Sequence, residues 1–202
     1  MLFMDASIAT ANAASSDSFV TFVGASETAG YGLRAGEQAY PAILQQRCGF
    51  VARVDGEVNK PVLFRPMLSP PGSTIVYFVS QFDAYLQPTS DSIKEWLMGA
   101  RRRKMILVEA PLLPDAAGIL ALYQRRFYRE LEQAASQTGV TVVLLSFPED
   151  VESYVQADSL HPNERGEIFI ADTLEPRLKT MHLCQKEAGS QSEVKRPAAS
   201  IG

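Results

Sequence analysis

Residues Thr74 to Val79 read Thr-Ile-Val-Tyr-Phe-Val, a continuous apolar run of strand length with no polar face. A strand of that composition is buried on both sides, as in parallel sheets covered by helices on both faces. The remainder of the chain supplies the matching pieces. Phe19 to Val23, Phe50 to Val54, Lys104 to Glu109 and Val140 to Ser146 read as four more strands. Between them lie amphipathic stretches. Glu37 to Arg47 carries Ala39, Ala42, Ile43 and Leu44 at helical spacing and stops at Gly49. Ser90 to Arg103 opens on a capping-type Ser or Asp. Asp115 to Gln137 places Ile119, Leu122, Tyr123, Phe127 and Leu131 on one stripe, with Gly139 at the C-cap position. Asn163 to Lys179 is the last helix, preceded by Pro162. Alternating strands and helices predict a three-layer α/β/α sandwich with a five-stranded parallel sheet. Trp96, Tyr123, Phe127 and Tyr128 are spaced as core residues.

With 202 residues, 46% of them hydrophobic and 21% charged, the chain has the make-up of one ordinary globular domain. We divide it into an N-terminal extension (1–18), a folded domain (19–182) and a mobile C-terminal tail (183–202), whose composition turns polar and aperiodic after Gln185. A net charge of -4 offers no field to attract a polyanion, so nucleic acid is not an expected partner. No stretch is long and apolar enough for a membrane span. Residues 1–18 contain Ala-Asn-Ala and Ala-Ala-Ser-Ser, which resemble a cleavage site, but lack a basic start and an apolar centre. A cytoplasmic location is therefore expected, with export as the alternative. Cys48 and Cys184 are expected to be two ordinary thiols, and no metal site is expected. The run Arg101 to Lys104 reads as a solvated helix end. The Pro-rich stretch Pro61 to Pro71 reads as a long loop, either a connector or an overhang above a site.

In parallel sheets ligands sit at the carboxyl ends of the strands. Gly24-Ala25-Ser26-Glu27-Thr28-Ala29-Gly30 follows the first strand directly and puts the Ser26 hydroxyl on that edge. The flanking glycines permit a sharp turn whose backbone N–H groups can face a bound oxygen. A serine hydroxyl needs a base to become a nucleophile. Asp158-Ser159-Leu160-His161-Pro162 offers one, with a carboxylate three residues before the imidazole to fix its tautomer. His161 and His182 are the chain's two histidines, so the choice of base is narrow.

These blocks resemble the SGNH hydrolases, also called GDSL lipases or esterases, over roughly Phe19 to Leu178. The family's first block, Gly-Asp-Ser-x-Thr-x-Gly, is matched at Gly24, Ser26, Thr28 and Gly30. Its last block, Asp-x-x-His-Pro, is matched in full by Asp158, His161 and Pro162. The resemblance implies flavodoxin-like strand order, hydrolysis of a small-molecule ester and no cofactor. It also implies Ser26, Asp158 and His161 as catalytic residues, and an oxyanion hole from backbone N–H groups of Ser26 and Gly56. Two positions depart from the pattern. Ala25 replaces the aspartate that braces the nucleophile turn. Phe82, in Ser80-Gln81-Phe82-Asp83, stands where an asparagine donates to the oxyanion. Gln81 carries the same amide one residue earlier, although strand alternation would turn it to the opposite face.

The reading is thus a serine esterase acting through an acyl-enzyme on Ser26. Two alternatives stand beside it: an O-acyltransferase using the same acyl-enzyme, and a catalytically weakened binding protein that keeps the fold. Oligomeric state is left open.

Overall fold

A computed structural model describes residues 19–65, 73–99, 103–112, 118–148 and 150–184. The expectations for the N-terminal extension, for the tail from Gln185 onward and for Arg101 and Arg102 lie outside the described residues. Five strands form one sheet: β1 (Phe19–Gly24), β2 (Val51–Gly56), β3 (Thr74–Val79), β4 (Lys104–Glu109) and β5 (Thr141–Leu144). Every pairing is parallel, and the order is β2-β1-β3-β4-β5. The helices are α1 (Ser26–Ala29), α2 (Tyr40–Cys48), α3 (Ser90–Gly99), α4 (Ile119–Thr138) and α5 (Glu164–Thr180). This is the expected α/β/α sandwich with flavodoxin-like order.

Side chains along β3 and β4 alternate between two cores because a strand repeats every second residue. Ile75, Tyr77, Met105 and Leu107 join α3 and α4 through Leu97 and Leu131. Val76, Phe78, Ile106 and Val108 face the other way and meet α2 and α5 through Leu44 and Leu174. That two-sided burial accounts for the unbroken apolar run at β3. The chain leaves β1 for β2 on one side and returns to β3 on the other, so the order reverses between β1 and β3. A crevice opens at the carboxyl ends of such a pair.

Two expectations need correcting. Cys48 and Cys184 are joined in a disulfide. Packing of α2 against α5 brings the last residue of α2 to the segment just beyond α5, a proximity that a separation of 136 residues conceals. Next, the predicted stripe on α4 is only half buried. Phe127 and Leu131 sit in the core, but Ile119 and Leu122 are 63% and 62% exposed, because the face of α4 that meets the core runs through Ala121, Gln124, Tyr128 and Leu131. The described start of the Pro-rich loop, residues 61–65, is tied to the sheet, and the rest of that stretch lies outside the described residues. Val62 and Leu63 are buried, and their N–H groups donate to Asp83 Oδ1 at 2.6 and 2.7 Å. The Tyr77 hydroxyl also donates to the Val62 carbonyl.

Candidate active site

Gly24 ends β1, and α1 begins two residues later with Ser26 as its first residue. A side chain at Gly24 would overlap the Thr28 hydroxyl, so glycine lets the turn fold back over the strand end. Gly30 closes the turn in the left-handed region, at φ 69°, and the Tyr31 N–H donates to the Ser26 carbonyl at 2.9 Å. Thr28 Oγ1 and the Tyr40 hydroxyl share a buried hydrogen bond of 2.9 Å, tying the turn to α2. The Tyr40 N–H in turn donates to Glu167 Oε2 on α5 at 2.8 Å. Ala25 is fully buried in the apolar cluster of Val62, Leu63, Tyr77 and Ala84, surroundings that suit a methyl group. The turn is thus held by Thr28, Tyr40 and its own backbone bonds in place of an aspartate.

The loop before α5 delivers the base to the same crevice. His161 Nε2 lies 2.9 Å from Ser26 Oγ, across 135 residues of sequence. On the other side of the ring, Nδ1 lies 2.7 Å from Asp158 Oδ2. Ser26 is 1% exposed and His161 8%, whereas the Asp158 side chain is 43% exposed. Burial pulls the Asp158 carboxyl upward, but the His161 ring and the N–H groups of His161 and Leu160 outweigh it and hold it at about 2. It is therefore a carboxylate at neutral pH, oriented to accept a proton-bearing Nδ1 and leave Nε2 free to accept from the serine hydroxyl.

The remaining sequence candidates separate. Residues 81–86 form a 3-10 helix and not a strand extension, so the alternation argument against Gln81 does not apply. Ser80 and Asp83 cap that helix reciprocally: Ser80 Oγ accepts from the Phe82 N–H, and Asp83 Oδ2 from the Ser80 N–H. Gln81 is buried and lines a cavity of about 100 Å³ together with Glu27, Leu160 and Pro162, the chain neighbours of Ser26 and His161. Phe82 is half-buried. Gly56 ends β2 and packs against α1, where an added Cβ would lie 2.7 Å from the Ala29 backbone nitrogen. Asp83, buried beneath the helix, is pushed up to about 6 by desolvation, against the pull of three backbone N–H donors.

Several residues at the site carry no motif. The Tyr31 ring packs on the His161 imidazole with centroids 4.8 Å apart. Gln156 Nε2 donates to both the Tyr31 and Pro162 carbonyls at 2.8 Å, clamping the serine loop to the histidine loop. Gly32 makes room for it, since a side chain there would strike the Gln156 amide. Asn163 caps α5 by accepting from the Gly166 N–H and ties the loop down through the Ser153 and Val155 carbonyls. A capping asparagine after His-Pro is legible in sequence; a clamp between two distant loops is not.

Solved structures decide the fold. A lipolytic protein of the G-D-S-L family from Veillonella parvula is 20% identical and aligns with a TM-score of 0.60 over 80% of this chain and 98% of its own. The chain has the SGNH hydrolase fold. A lipase/acylhydrolase from Enterococcus faecalis shares this fold at 18% identity, with a TM-score of 0.63 over 85% of this chain and 100% of that one. So does a psychrotrophic esterase from a Pseudoalteromonas species, solved in a form inhibited by monoethylphosphonate, at 17% identity and a TM-score of 0.60 over 82% and 99% of the two chains. No family model and no curated protein matches the sequence. Ser26 and His161 meet at the strand ends, and Gln81 lines a cavity with their chain neighbours Glu27, Leu160 and Pro162.

Proposed function

We propose that the protein is a serine ester hydrolase acting on small carboxylic esters. One observation carries the proposal: the unbroken hydrogen-bonded line from Ser26 Oγ through the His161 ring to Asp158, at 2.9 and 2.7 Å. In the first half-reaction Ser26 Oγ attacks the acyl carbonyl carbon while His161 Nε2 takes the hydroxyl proton. His161 then gives that proton to the departing alcohol oxygen, leaving an acyl-enzyme. Water enters, loses a proton to Nε2 and releases the acid, restoring Ser26. Asp158 holds the ring in the accepting tautomer and stabilises the imidazolium. The developing oxyanion takes hydrogen bonds from the backbone N–H groups of Ser26 and Gly56 and from the Gln81 amide, which replaces the asparagine expected at Phe82.

The Cys48–Cys184 disulfide supports an oxidising compartment as the place of work and so favours the export alternative. The direct test is hydrolysis of a short-chain nitrophenyl ester with and without a serine-directed phosphonate. Turnover that the phosphonate abolishes is the expected result; neither turnover nor labelling would overturn the proposal. Adding a primary alcohol to the same assay measures transfer against hydrolysis.

A further inference from the structure

The G-D-S-L motif named for one structural relative places leucine directly after the serine, and this chain has Glu27 there. Glu27, the chain neighbour of Ser26, is only 9% exposed and lines the cavity of about 100 Å³. The walls around it are mostly apolar, among them Pro111, Leu112, Phe147, Val151 and Leu160. No lysine or arginine lines that cavity among the described residues. Glu27 Oε2 is buried without a hydrogen-bond partner in the protein. A buried carboxyl oxygen left unpaired is costly, and its cost is removed by a ligand that brings a donor.

The charges around Glu27 decide which donor suits it. Burial pushes its carboxyl upward and Asp83 pushes the same way, while its own backbone N–H, the His161 ring and the Ser26 hydroxyl draw it down. Glu167, a third buried carboxyl, is itself raised in part by Glu27. Among the described residues Glu27 is the one carboxyl that lines the cavity, and no basic side chain lines it. A cationic donor gains both a hydrogen bond and a Coulombic attraction from a carboxylate in apolar surroundings, whereas a neutral hydroxyl gains only the hydrogen bond.

Building on the esterase reading, we infer that Glu27 makes the pocket beside Ser26 selective for acyl groups that carry an amine. The ammonium pairs with the otherwise unpartnered Glu27 oxygen while the acyl methylenes lie along the apolar walls. The ester carbonyl then sits at Ser26 Oγ.

The probes are the nitrophenyl esters of β-alanine and of butanoic acid, which differ by an ammonium in place of a methyl. The wild-type protein is expected to favour the β-alanine ester in kcat/KM by about tenfold or more, the worth of one partly buried ion pair. Glu27→Leu should reverse that ratio, and Glu27→Gln, which keeps the shape and removes the charge, should bring it close to one. An equal loss on both esters would mean that Glu27 acts only on His161, and would overturn the inference. A second arm does not need turnover: calorimetric binding of butylamine and of butanol to the full-length Ser26→Ala protein. Tighter binding of the amine, lost when Glu27→Gln is added, supports the inference; equal binding overturns it. If wild type hydrolyses neither ester, the esterase reading fails, and the binding arm still decides the role of Glu27.

Discussion

Asp158 holds His161 twice: Oδ2 lies 2.7 Å from the ring Nδ1, and Oδ1 accepts the backbone N–H of the same histidine at 3.0 Å. One carboxylate therefore fixes both the place of the loop and the tautomer of the ring. Asp158→Asn keeps an oxygen for the backbone N–H groups of Leu160 and His161 but presents an amide donor to Nδ1. The ring then turns its proton toward Ser26 and can no longer act as base. We expect kcat to fall by about 100- to 10,000-fold with little change in KM. Steady-state kinetics on the purified variant, with circular dichroism to verify folding, measure this.

Gln81 and Phe82 divide the oxyanion question. Because the segment is a 3-10 helix capped by Ser80 and Asp83, Gln81 reaches the cavity next to Glu27. Gln81→Ala is expected to lower kcat by about 100- to 1000-fold, the worth of one oxyanion donor, with KM nearly unchanged. Phe82→Asn should change kcat by less than about threefold, well under one donor's worth. A large gain from Phe82→Asn would mean that the oxyanion lies on the Phe82 side.

The strands were legible because β1, β3 and β4 are apolar runs that only a doubly covered sheet buries. Ser26, Asp158 and His161 were legible because the chemistry needs those residue types at strand ends and in one short turn. Other features depend on distances that no local pattern encodes. Cys48 and Cys184 meet through helix packing, and Gln156 clamps Tyr31 across 125 residues. Strand alternation argues against Gln81 as an oxyanion donor, and the capping pair Ser80 and Asp83, visible in sequence, is what turns the chain into a helix there. Glu27 reads locally as a helix-start acid, and its burial beside the nucleophile follows only from the fold.

Glu167 should leave a signature in the pH dependence of stability. Desolvation raises its carboxyl to about 8, against the pull of the Tyr40 N–H, with a further upward push from Glu27. Its folded pKa is above the unfolded value, so the folded state holds a proton that the unfolded chain loses above about 4.5. The contribution is full below that point and disappears as pH rises through about 8. Stability should therefore decline by up to about 1.4 kcal/mol per pH unit across this window from this group. Glu167→Gln, which keeps an acceptor for Tyr40, should flatten the decline. Urea denaturation of both proteins between pH 5 and 8 checks it, and identical slopes would contradict it.

The Cys48–Cys184 bond closes a loop spanning 136 positions and pins the end of α2 to the segment after α5. Its removal by Cys184→Ser is expected to cost about 2 to 4 kcal/mol and to lower Tm. Denatured, unreduced protein should show no reactive thiol from these residues. Two titratable thiols in protein purified without reductant would contradict the pairing.

The measurement that bears most directly on the whole reading is intact-protein and peptide mass spectrometry after exposure to a serine-directed phosphonate, run beside the nitrophenyl ester assay. The expected result is one phosphonyl group per chain, located on Ser26, with loss of turnover in step with labelling. Ser26→Ala should take no label and show no turnover while keeping its fold, and His161→Ala should label far more slowly. Ester hydrolysis that persists in Ser26→Ala, or a label that settles on another residue while activity disappears, would contradict the assignment of Ser26 as nucleophile.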